Sequence, residues 1–205
     1  KKGQLMELKI LLSKGILISQ DAANYAAIYN QLKVLHWIKE NKLILPNQNG
    51  TNEAAYNGHL EVLKWMKENN LQMLDQNGID WVINNGHLEI LKWMKENNLQ
   101  MPDQKGANWA VSSGQLEILK WMKENNLTLP DQDGANRAAQ SGRIEILEWM
   151  KENNLPLPNR EGAEEALRYS QLETLKWIKE NCINNSTCEL ETTTPIQYTL
   201  NFNTQ

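Results

Sequence analysis

With a formal net charge of -4 over 205 residues, the chain lacks the overall basic character that drives unspecific binding to nucleic acid. It is 40% apolar with a mean hydropathy of -0.61, and no apolar run approaches the roughly 18 residues of a membrane-spanning helix. Two cysteines, Cys182 and Cys188, are too few for a disulfide scaffold, although a local bridge between them is open; they favour a reducing, cytoplasmic compartment.

The chain opens Lys-Lys without Met, which reads as the start of a fragment. Residues Gly3 to Lys14 read as a helix whose Leu5, Leu8, Ile10, Leu11 and Leu12 make an apolar surface without a polar cap. Terminal units of a stacked array need such a cap. Further repeats upstream, or self-association through this half repeat (residues 3–18), are therefore expected.

From there tryptophan recurs at Trp37, Trp65, Trp93, Trp121, Trp149 and Trp177, a period of 28 residues. A fixed period of this length predicts like modules stacked on one another. In the copy Asp103 to Leu129, Asp103 is a ready N-cap for a short first helix, and Gly114 supplies the left-handed residue that closes it. A second helix follows, with Leu116, Ile118, Leu119, Trp121 and Met122 apolar. That stripe is too wide for one buried face and suits a helix with a neighbour on each side. Glu117, Lys120, Lys123 and Glu124 cover the remaining face. Asn125-Asn126 is expected to fray its end. First helices begin near Gln20, Gln48, Gln76, Gln104, Gln132 and Arg160; second helices begin near Gln31, His59, His87, Gln115, Arg143 and Gln171. The prediction is an all-α solenoid over residues 1–182, a half repeat and then about six repeats. An irregular Asn- and Thr-rich tail over 183–205 follows, with a strand open around Ile196 to Phe202.

The run Ala54-Ala55-Tyr56-Asn57-Gly58-His59-Leu60-Glu61-Val62-Leu63-Lys64, partly copied at Ala138-Ala139-Gln140-Ser141-Gly142, resembles an ankyrin repeat. The variant it is most similar to is the short, Trp-containing repeat of amoebal and giant-virus proteins. The resemblance covers about residues 3 to 182. It departs from the common pattern in two places. Gly134-Ala135-Asn136-Arg137 stands where Thr-Pro-Leu-His is usual, and the segment leading into the long hairpin finger is replaced by Asn-Asn-Leu-x-x-Pro-Asp. The resemblance implies paired helices with shortened loops, and a concave partner-binding face built from the first helices.

No phosphate loop, zinc-helix or nucleophile-elbow motif is present, so no catalytic, cofactor or metal residue is assigned and no enzymatic role is expected. His59 and His87 share a column with Gln31, Gln115, Arg143 and Gln171, which reads as a polar helix start; His36 belongs to a solvent-facing column. The Trp ladder reads as packing between units, and the column Asn24, Asn52, Asp80, Asn108, Asn136, Glu164 as a hydrogen-bond ladder. The informative columns are those that vary. They supply the candidate partner-binding residues Tyr25, Glu53, Trp81, Trp109, Arg137 and Glu165; Tyr56, Asn84, Ser112, Gln140 and Arg168; and Tyr29 and Tyr169. Tyr, Trp and Arg dominate binding energy at protein interfaces. The expected function is a protein-interaction module with another protein as partner. The alternatives are a modular helical-repeat nucleic-acid reader, against which the acidic balance weighs, and a structural or self-assembling spacer.

Overall fold

The computed structural model describes Ile10 and residues 18–183, and these are helical throughout apart from turns and short connections. The expectations for most of the half repeat and for the tail lie outside the described residues. So does Cys188, while Cys182 is buried.

Twelve helices alternate in type along the described chain. The first-type helices are α1 (Gln20–Ile28), α3 (Gln48–Tyr56), α5 (Gln76–Asn84), α7 (Gln104–Ser112), α9 (Gln132–Gln140) and α11 (Arg160–Arg168). The second-type helices are α2 (Leu32–Glu40), α4 (Leu60–Glu68), α6 (Leu88–Glu96), α8 (Leu116–Glu124), α10 (Ile144–Glu152) and α12 (Leu172–Ile178), the last followed by a π-helical turn at Lys179–Ile183. The chain divides into two compact units, Lys1–Met101 and Pro102–Gln205. In each, helix-turn-helix repeats stack so that a first helix lies against the first helix of the next repeat.

Local chemistry sets the helix ends. Asp75 and Asp103 each accept a 3.0 Å bond from the backbone of Gly78 and Gly106, the third residue of the helix they cap. The first helix then closes through a left-handed residue, as at Gly58 (φ 75°), with His59 N–H returning to Ala54 C=O at 2.9 Å. A side chain at Gly58 would meet the imidazole of His87 at 2.8 Å, so this glycine also makes room for the next repeat.

The Asn-Asn pair ends the second helix cleanly and does not fray it. The first Asn donates its Nδ2 to the carbonyl of the ladder tryptophan one turn back, at 2.6 Å for Asn69 to Trp65 and 2.7 Å for Asn125 to Trp121. The second Asn takes the left-handed conformation (Asn70 φ 54°, Asn126 φ 53°), which Asn tolerates better than most side chains.

The core lies between the two helix types. Second helices bury four residues in nearly every copy, such as Ile118, Leu119, Trp121 and Met122. Trp65, Trp93, Trp121, Trp149 and Trp177 are all buried. Each large apolar side chain withdrawn from water contributes about 1.5–3 kcal/mol. The outer face carries i,i+3 pairs such as Lys64–Glu61 and Lys120–Glu117, too exposed to add much.

Most first helices bury small residues, such as Ala54 and Ala55 in α3 and Ala135, Ala138 and Ala139 in α9, while α5 buries Ile79, Val82 and Ile83. First helices approach closely at Gly134, where an added Cβ would stand 2.5 Å from Asn108 Oδ1 and 2.8 Å from the Cβ of Pro130. The Asn column is the other half of that contact. Asn108 donates Nδ2 to Asp131 Oδ1 at 2.9 Å and accepts the Asp131 N–H at 3.3 Å, gripping the N-cap of the following repeat. Asn52 makes the same pair of bonds with Asp75.

A helical Gly→Ala change ordinarily stabilises by up to about 1 kcal/mol. Gly134→Ala is expected to reverse that sign and cost about 1–3 kcal/mol, because the proline ring and a bonded amide must both move. Urea denaturation measures it, with exposed Glu152→Ala as a control that stays within about 0.5 kcal/mol of the parent.

Candidate interaction face of the first helices

The first helices bury one side in the stack and leave the other outward, and the variable columns fall on that outward side. In the first unit Tyr25, Tyr29 and Tyr56 are exposed, and Trp81 keeps 38% of its surface. Asn84 is exposed and Glu53 half-buried. Tyr25 and Tyr29 stand one turn apart with ring centroids at 6.2 Å. Tyr56 meets Trp81 of the next first helix edge to face, at 6.0 Å and 83°. The Tyr56–Trp81 contact ties adjacent repeats together on the surface, while Glu53 makes no ion pair among the described residues.

In the second unit Trp109, also 38% exposed, lies under Arg137, whose guanidinium carbon is 5.9 Å from the ring centre. Arg137 Nε donates to Asp133 Oδ2 at 2.7 Å. Gln140 Nε2 donates to Glu165 Oε2 at 2.9 Å across to the next first helix, and Arg168 pairs with Glu165 at 2.8 Å. Tyr169 is exposed. Ser112 turns its hydroxyl back onto its own helix, donating toward the carbonyls of Asn108 and Trp109, and is the least available of the set.

Two features of this face were not read from sequence. Asp133 orients Arg137 and also accepts from Asn108 Nδ2 at 3.2 Å. Its acidic side chain one turn before an arginine was the available signal. The column of His59, His87 and Arg143 does not cap its own helix. It reaches back to the last carbonyl of the first helix of the preceding repeat: His59 Nε2 to Ile28 O at 2.9 Å, His87 Nε2 to Tyr56 O at 2.9 Å, and Arg143 Nε to Ser112 O at 3.3 Å. All three side chains offer a donor, which is what an orphan carbonyl at a helix C-terminus needs. His36 is exposed as expected, with its ring 5.8 Å from that of Trp65.

Among the described residues no three His, Cys, Asp or Glu side chains are grouped to hold a metal ion. No described helix is long and apolar enough to cross a membrane.

The two kinds of tryptophan are expected to separate on mutation. Trp121→Ala, at a buried rung, should cost about 3–5 kcal/mol in urea denaturation. Trp109→Ala should cost about 1 kcal/mol and leave far-UV circular dichroism unchanged.

No family model and no curated protein matches this chain. Among solved structures, the pentatricopeptide repeat protein PPR10 from maize is similar, at 16% sequence identity and a TM-score of 0.48. The match covers 86% of this chain and 31% of that one, so the chain spans less than a third of that protein's length.

Proposed function

We propose that this helical-repeat chain of 28-residue helix-turn-helix units is a non-enzymatic protein-interaction module, of the short ankyrin-like type suggested by the run Ala54 to Lys64, and that it binds a partner protein through the outward side of its first helices. The observation that carries this reading is the exposure of Trp81 and Trp109 on a scaffold whose other repeated tryptophans are buried from Trp65 onward. Exposed indoles work against solubility unless something covers them, and Trp, Tyr and Arg are the side chains that concentrate binding energy at interfaces. Helices interlocked at every repeat lose little conformational entropy on binding, so more of the contact energy appears as affinity. Anchors on this reading are Trp81, Trp109, Tyr56, Arg137 and Arg168.

A second reading, a modular nucleic-acid reader, has one observation in its favour: exposed tryptophan and tyrosine rings can stack on bases. The charge works against it. First helices α1, α3 and α5 contain no lysine or arginine to meet phosphates, and Arg137 and Arg168 are already paired with carboxylates.

Affinity capture from cell extract with the 205-residue chain as bait tests the proposal. Trp109→Ala is expected to abolish partner capture while helicity and melting stay near the parent. Retention of the chain on heparin or single-stranded DNA at low salt, lost as salt rises, would replace the proposal with the second reading.

A further inference from the structure

The two units differ in how their first-helix faces handle charge. In the second unit the face is balanced from within: Arg137 pairs with Asp133, Arg160 with Glu164 at 2.8 Å, and Arg168 with Glu165. In the first unit it is not. Every lysine from Lys33 to Lys95 lies on a second helix or just after one, whereas Asp21 and Glu53 lie on first helices. Neither carboxylate enters an ion pair among the described residues.

Glu53 is half-buried and sits in a column between Tyr25 of the preceding first helix and Trp81 of the following one, with Tyr56 one turn along its own helix. A carboxylate among aromatic side chains is less well screened than one in open solvent, so a cation reaching it gains more than at an ordinary surface site. The ring faces of Trp and Tyr attract the same cation.

The second unit shows what fits this combination. There an arginine from the chain itself, Arg137, stands between a carboxylate, Asp133 at 2.7 Å, and an indole, Trp109 at 5.9 Å. The first unit holds the carboxylate and the indole, with two tyrosines besides, and has no arginine in residues 18–101 to complete the set.

We propose that the Tyr25–Glu53–Tyr56–Trp81 face of the first unit binds an arginine side chain of a basic partner segment. The guanidinium pairs with Glu53 and stacks on the Trp81 and Tyr56 rings. This rests on the protein-interaction reading and gives the partner its chemistry. A nucleic acid brings phosphates to the same carboxylates and is repelled.

The test is selection of randomised 12-residue peptides on the full chain, followed by binding of the recovered peptides in titration. Peptides with arginine at one dominant position are expected. Replacing that arginine by citrulline, which keeps the shape and loses the charge, should cost tenfold or more in affinity, as should Glu53→Gln in the protein. Glu61→Gln, which removes an exposed carboxylate on a second helix, should change nothing. Circular dichroism of both variants checks that the fold is kept. Recovered peptides without arginine, or arginine peptides that bind Glu53→Gln as tightly as the parent, overturn the arginine site and leave the protein-interaction reading standing. Recovery of no peptide overturns both.

Discussion

The structure depends on how closely consecutive first helices approach. That distance is set by a residue without a side chain facing a short amide, Gly134 against Asn108 and Gly162 against Asn136, where an added Cβ would stand 2.5 and 2.6 Å from the amide oxygen. The buried amide is not stranded. Its oxygen and nitrogen both bond within the N-cap region of the next repeat, so the contact that spaces the helices also fixes where the next helix begins. A buried polar group is costly unless satisfied, and here satisfaction requires the neighbouring repeat to be in register. Packing specificity and hydrogen bonding are therefore one constraint.

That constraint divides the labour between helix types. First helices, held close, bury mainly Gly, Ala and other small residues on their inner side, with Ile79, Val82 and Ile83 of α5 and Val111 of α7 as the larger exceptions, so in most copies their core contribution is modest. The apolar bulk moves to the second helices, where Trp, Met, Leu and Ile fill the wider space between repeats. With stability concentrated there, the outward side of the first helices is released from packing. Side chains on it vary between copies without disturbing the interlock, which is the physical condition for a binding surface on a repeat scaffold. The same release explains why charge is balanced differently in the two units. Nothing in the stack requires a first-helix carboxylate to be paired, so Glu53 stands open while Glu165 is bridged to Gln140 and Arg168.

The 28-residue tryptophan spacing, the Ser, Asp or Asn before each first helix and the glycine after four of the six determined the helix-turn-helix repeat, the helix starts and the all-α class from sequence alone. Those are local matters: capping, left-handed turns and periodic burial act within a few residues. The outward placement of Tyr25, Trp81 and Trp109 was also legible, because a position free to vary inside copied units is one the core does not need. What only the tertiary structure decided is each contact that spans about one repeat. The donor column at His59, His87 and Arg143 serves carbonyls 31 residues earlier, and Arg137 covers an indole 28 residues before it. The Asn-Asn ends, weak by propensity, are firm because the side chain folds onto its own helix while the stack buries the tryptophan it bonds. Periodicity states that such residues recur. Which of them meet depends on helix separation and rotation, and those come from packing.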